Sequence, residues 1–243
     1  MLSYLTFIAT VGGIYAMLAL SLNLIWGGAG MVNLGLAGFF AVGAYASALL
    51  TTAGHGPILA GWALALIAGG AAGLVVTLST TRLREDYLAI VTLGFAEVVR
   101  LIAANETWLT RGTDGISGIP GPWRGRVAPQ TFNVIYLAMV VLAVLAVLAV
   151  CERIRHSPYG RVLRAIRDDD QVAAVAGKRV IAFKVQAFAV SAAILGLAGA
   201  LWGHYTSFIA PDVFTPLVTI YVVLALTAGG TGNNVGAVPA PPS

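Results

Sequence analysis

The stretch TFNVIYLAMVVLAVLAVLAVC, residues 131–151, runs directly into ERIRHSPYGRVLRAIRDDDQVAAVAGKRV, residues 152–180. The first half has no charged residue and is long enough, as a helix, to cross a bilayer. The second half is dense in charge. Between Arg153 and Lys184 lie eight of the 14 Lys and Arg of the chain. A second apolar run, 183–209, follows. An apolar run, a charged patch and another apolar run define a chain that crosses a membrane, turns in water and crosses back.

Composition supports that reading over the whole length. The 243 residues have a mean hydropathy of +0.88, 58% hydrophobic residues and 10% charged residues. Soluble domains carry about 25% charge. A soluble fold of this size cannot hide so much apolar surface, because surface falls too slowly with size. Lipid must therefore solvate most of it. The net charge of +4 is not a nucleic-acid signal. Its cations sit in the links between apolar runs, and no nucleic-acid partner is expected. The single cysteine, Cys151, excludes an internal disulfide.

Seven apolar segments read as spans: 4–26, 31–52, 57–80, 86–104, 131–151, 183–209 and 214–230. The first lacks the basic start of a signal peptide and reads as a membrane helix. Only GGAG separates the first two, so one of them is expected to be broken or partly re-entrant. The predicted fold is an all-α polytopic membrane bundle of about seven spans. It is a single domain over 1–243, with a short coupling-helix segment at 152–182 and a tail at 231–243. Arg82 and Arg84 fall on the same side as Arg153, Arg155, Arg161, Arg164, Arg167, Lys178, Arg179 and Lys184. The positive-inside rule places that side in the cytoplasm. The link 105–130, with Arg111, Arg124 and Arg126, then faces out.

Small residues mark two helix faces. Ala65, Gly69, Gly73 and Thr77 form one stripe, and Ala192, Gly196, Gly199 and Gly203 another. Such stripes let helix backbones approach closely in lipid. They are also compatible with helices that slide during a transport cycle. Within the spans, Glu97 and Arg100 stand three residues apart and can pair on one helix face. Buried charge of this kind pairs or faces a water-filled path. Asn23, Asn33 and Glu97 are the candidate path-lining residues. His55 and His156 fall in links, and His204 beside Tyr205 reads as an interfacial residue. The chain has no phosphate-binding GxxxxGK[ST], no HExxH, no CxxC and no GxSxG. No metal site, no cofactor and no catalytic residue is expected.

The charged segment has its own local logic. Ser157 suits a helix N-cap and Pro158 the first helical position. Val162, Leu163 and Ile166 give a narrow apolar face. Arg164 and Arg167 suit a helix C-terminus. Asp168, Asp169 and Asp170 suit the start of a second short helix, QVAAVA, which Gly177 ends. Fixing topology alone requires cations but not caps. Two capped helices at the membrane surface fit an element that docks to a partner and carries its motion rigidly.

Several blocks resemble the permease subunits of ABC importers for branched-chain amino acids, of the LivM type. LSLNLIWGGAGMVNLGLAGFFAVGAYASALL is similar to the family's first two spans. LREDYLAIVTLGFAEVVR is the most specific match and is followed by TDGISGIP. GRVLRAIRDDDQVAAVAG resembles the family's cytoplasmic coupling loop, and AFAVSAAILGLAGALWGHYTSFIAPDVF its next span and outer turn. The resemblance runs in order along almost the whole chain. It implies that Gly160, Arg161, Arg164, Ala165, Arg167, Asp169, Ala173 and Gly177 dock a partner ATPase. It implies a sister LivH-type permease, two cytoplasmic ATPase subunits that bind the ATP, and a periplasmic or lipid-anchored substrate-binding protein. It also implies a multi-pass protein of the bacterial inner membrane that is not an enzyme. Val172 is larger than the residue usual at such a docking spot. Where family members continue with a further apolar region, this chain ends in PAPPS, which reads as C-terminal truncation. The alternative reading of the residues is a self-sufficient secondary transporter or channel for a small solute.

Overall fold

The structure is a computed structural model that describes residues 1–80 and 85–230. Ten helices are described: α1 (Leu2–Ala29), α2 (Leu36–Thr52), α3 (Ile58–Thr80), α4 (Glu85–Asn105), α5 (Thr107–Thr110), α6 (Pro129–His156), α7 (Pro158–Asp168), α8 (Asp170–Val175), α9 (Val180–Thr206) and α10 (Pro216–Gly229). Two short strands, β1 (Ile116–Ser117) and β2 (Phe208–Ile209), pair antiparallel. Six segments among the described residues are long and apolar enough to cross a membrane, and α2 is a shorter apolar helix. The last of the six, Pro211–Gly229, joins a short 3-10 turn to α10. Arg82, Arg84 and the expected tail at 231–243 lie outside the described residues.

The expected span 31–52 is shorter than its sequence implies, because Met31–Gly35 is not helical. Gly30 adopts φ 75°, which ends α1, and its N–H and that of Met31 bond back to the Trp26 and Ile25 carbonyls. Open backbone at membrane depth must find partners inside the protein, and side chains supply two of them here. The Leu34 N–H donates to Thr92 Oγ1 on α4 (3.1 Å), and the Gly35 N–H donates to Asn33 Oδ1 (2.8 Å). The Ala37 N–H in the first turn of α2 donates to Thr219 Oγ1 on α10 (3.3 Å). Gly35 is a place where only glycine fits, since a Cβ there would lie 2.1 Å from the Thr92 carbonyl oxygen. The other boundary differences are smaller. The apolar run 131–151 is continued by its charged end, so α6 reaches His156.

α9 is the central helix, packed against α1, α2 and α3. The two small-residue stripes face each other across the α3–α9 contact. A Cβ on Gly69 would lie 2.5 Å from the Ala192 carbonyl oxygen, and one on Gly196 would lie 2.3 Å from that of Ala65. Gly43 on α2 meets Gly196 from the other side, and Gly199 meets Phe40. Close backbone approach of this kind supplies dispersion contact where water exclusion cannot. Larger side chains fill the layers above and below. Phe39 lies 4.7 Å from Phe95 and 5.6 Å from Phe188 between ring centres. Tyr136 on α6 is buried and donates to the Leu201 carbonyl (2.7 Å). Ser21 on α1 bonds Ser191 on α9, both buried.

His204 corrects the sequence reading, which places it at the interface. It is fully buried. Its Nδ1 donates to the Pro120 carbonyl (2.6 Å), and its Nε2 faces Ser47 Oγ at 2.8 Å. A carbonyl only accepts, so Nδ1 carries the proton, and in the neutral ring Nε2 accepts from Ser47. His204 thereby ties α2 and α9 to the link between β1 and α6. The pattern of apolar neighbours in sequence cannot reveal this, because the partners lie 157 and 84 residues away.

Candidate functional site: the α7–α8 element

α7 forms because its caps and its spacing agree. Ser157 sits in extended backbone and its Oγ accepts from the Gly160 N–H (3.2 Å), with Pro158 in the first turn. Gly160, Leu163 and Ile166 recur every three residues and are all buried. They seat α7 against α1, α6 and α9. Gly160 allows the close approach to α6, since a Cβ there would stand 2.3 Å from the Ile154 carbonyl oxygen. Arg167, in the last turn, donates from Nη1 to the Gly27 carbonyl at the end of α1 (2.8 Å). Its side chain also lies against Gly30, where an added Cβ would be 3.0 Å from Arg167 Cγ. Tyr159 stacks on Phe183 at 5.1 Å and donates to its carbonyl (3.1 Å). Burial pushes the Tyr159 phenol up to about 12, so it stays a donor at neutral pH.

Asp169 is the corner between the two helices. Its backbone is extended, and its Oδ1 accepts from the Gln171 and Val172 N–H groups (2.9 and 3.0 Å). This is an N-cap, with the negative charge at the positive end of α8. Asp170 pairs with Lys184 on α9 (3.3 Å). Gly177, at φ 78°, closes the turn after α8, and the Lys178 N–H returns to the Ala173 carbonyl (3.1 Å). Asp169→Ala is expected to cost about 1 kcal/mol of local stability, as a lost N-cap does. Faster amide exchange at Gln171 and Val172, with α7 unchanged, is the measurement that checks it.

The eight residues assigned to docking do not share one environment. Gly160 and Ala173 are buried and position the element from within. Arg164 is half-buried and donates to the Arg155 carbonyl (2.9 Å). Arg161, Ala165, Arg167, Asp169 and Gly177 are exposed. One exposed residue, Val175, escapes the sequence reading, and Val172 enters it only as larger than is usual at a docking spot. Val172 and Val175 on α8 are 64% and 90% exposed, beside exposed Ala174 and Ala176. The sequence carries their signal, since apolar residues flank the buried Ala173 in a short helix, but not which side faces out.

The three candidate path residues also separate. Asn23, in α1, is buried. Asn33, in the break between α1 and α2, is fully buried, with Oδ1 bonded to Gly35 and Nδ2 without a partner among the described residues. Glu97 lies on the outer surface of α4, in a two-pronged pair with Arg100 (2.5 and 3.0 Å). Asp212, in the turn before α10, is within electrostatic reach of Arg100. Among the described residues no group of three or more His, Cys, Asp or Glu side chains is placed to hold a metal ion.

A multi-span helical bundle with a capped helix pair at its cationic end defines a polytopic helical membrane protein. Residues 4–241 match the family described as "Branched-chain amino acid transport system / permease component", and the chain belongs to that family, on its LivM-type branch. It is 37% identical over 252 residues to the high-affinity branched-chain amino acid transport system permease protein LivM of Escherichia coli K12, covering 93% of this chain and 58% of that protein. It is 30% identical to the probable branched-chain amino acid transport permease protein LivM of Methanocaldococcus jannaschii, covering 92% of this chain and 74% of that protein. Similarity to the LivH permease of E. coli K12 is lower, 26% over 94% of this chain and 78% of that protein. The chain thus spans little more than half the length of the first of these relatives. No solved structure matches. The family consists of transport permease components, not enzymes.

Proposed function

We propose that the chain is a permease subunit of an ABC importer that moves branched-chain amino acids or similar small amino acids into the cytoplasm. It works beside a sister LivH-type subunit in the bacterial inner membrane. Two partner ATPases bind the ATP and grip α7–α8, and a periplasmic or lipid-anchored binding protein delivers the substrate to the opposite end. The observation that carries this reading is the build of α7–α8. It is capped at both starts, seated on three spans by a buried face, and presents bare valines outward. A rigid body so seated transmits a push at α8 to α1, α6 and α9 without deforming.

The charge distribution supports the orientation. Arg153, Arg155, Arg161, Arg164, Arg167, Lys178, Arg179 and Lys184 cluster at the α7–α8 end, against Arg111, Arg124 and Arg126 at the other. Of the path candidates, Glu97 with Arg100 faces out of the subunit, where a second permease or a water-filled path meets it. Asn23 and Asn33 line a path only when the helices around them part.

Reconstitution into liposomes tests the reading. Uptake of leucine is expected only when the sister permease, both ATPases and the binding protein are present with ATP. Flux through this chain alone, without any ATPase, refutes it in favour of a self-sufficient carrier or channel.

A further inference from the structure

At the end of the bundle opposite α7–α8, a cleft of about 510 Å³ lies between α3 and α6 beneath the link that precedes α6. Ile58 and Leu59 at the start of α3 and Met139 on α6 give it an apolar lining. Met139 is ten residues into α6, so the cleft reaches about 15 Å along the helix, from the helix ends into the span. The rest of its lining is different. Trp62, one turn into α3, and Trp123, Arg124 and Arg126 of the link belong to it, and no Asp or Glu does.

The polar groups there donate and find little to accept. Trp62 Nε1 is buried and has no partner among the described residues. Arg124 is partly engaged, with Nη2 donating to the Tyr205 carbonyl and the guanidinium over the Phe132 ring at 4.5 Å. Those contacts pin the link but leave most of its five N–H donors free and its charge without an acid to pair it. Arg126 is exposed. Neither arginine forms an ion pair among the described residues. Trp123 holds φ 57°, and this backbone conformation sets its exposed ring at the mouth of the cleft.

We infer that this cleft binds the headgroup and upper acyl chain of an anionic phospholipid. The chemistry of its lining selects that ligand. Two guanidiniums with no acid to pair them call for an anion rich in acceptors, as a phosphodiester is. The apolar lining, which Met139 carries into the span, calls for a hydrocarbon chain attached to that anion. A free phosphate leaves that lining unexplained. A zwitterionic lipid brings an ammonium group beside two arginines with no acid to pair it. Tryptophans at the helix ends suit the headgroup level of a bilayer, and basic pockets between spans take anionic headgroups.

Native mass spectrometry of the full chain within its assembly tests the site. The probes are phosphatidylglycerol and phosphatidylcholine with matched acyl chains. Phosphatidylglycerol is expected to be retained in preference, and Arg126→Gln is expected to lower its retention about fivefold, the effect of one interfacial cation. Arg126→Lys is expected to restore most of it, and Arg111→Gln, at the same end but outside the cleft, to leave it unchanged. The exposed Arg126 side chain makes no ion pair among the described residues, so loss of folding does not confound the result. Equal retention of the two lipids, unchanged retention in Arg126→Gln, or full displacement by inorganic phosphate overturns the assignment. So does a partner subunit found filling the cleft.

Discussion

Alanine in place of Gly43 is expected to leave little folded protein. The added Cβ would stand 2.1 Å from the Gly196 carbonyl oxygen and 2.2 Å from its Cα. Both atoms are backbone of the central helix, so no side chain can rotate away. Overpacking costs about 1–3 kcal/mol where neighbours can yield, and more where they cannot. The cost here exceeds the upper end of that range. The same substitution at Gly94 is the control. Nothing lies within 4 Å of a Cβ there, and an alanine in an open helical position is neutral or slightly stabilising. Thermal unfolding in detergent, read for both variants, decides it. Equal melting temperatures for Gly43→Ala and Gly94→Ala show that α2 and α9 are not packed backbone to backbone.

Val172→Asp and Val175→Asp are expected to abolish ATP-driven uptake while leaving the bundle intact. Both side chains project from α8, 64% and 90% exposed, so the folded subunit loses little contact when they change. Burying a valine against a partner is worth about 1.5–3 kcal/mol. Each aspartate therefore weakens ATPase binding by about tenfold or more, and the pair by more than either. Burial of the new carboxylate adds to the penalty. The measurement is ATPase affinity beside uptake and melting temperature. Loss of uptake with an unchanged melting temperature supports docking at α8. Unchanged ATPase affinity in the double variant moves the docking surface elsewhere, with α7–α8 left as a structural brace.

The two helix caps of this element are legible because they are local. Ser157 with Pro158, and Asp169 before an alanine-rich turn, state their own conformation within four residues. The burial of Leu163 and Ile166 is legible from spacing. What the spacing conceals is division of labour. Arg167 reads as part of the docking surface, yet its guanidinium also holds the Gly27 carbonyl, 140 residues away in sequence. Ala173 reads the same way and lies underneath α8, while Val172 and Val175 face out. His204 misleads for a related reason. A histidine near the end of an apolar run looks interfacial until the Pro120 carbonyl and Ser47 close over it.

By itself, the sequence determined that this chain lives in lipid, which stretches are apolar, which link carries the cations and where two short helices begin. Each of those follows from hydropathy, charge or capping within a window of about twenty residues, and such windows are complete in the sequence. The tertiary structure decided which stripes meet, how the break at Met31–Gly35 and the first turn of α2 find hydrogen bonds on α4 and α10, and which side of α8 is bare. These depend on pairs of groups far apart in the chain. In lipid, close packing and the demand that every backbone donor be satisfied select those pairs; a stripe of small residues marks a face that packs closely but not the face it meets.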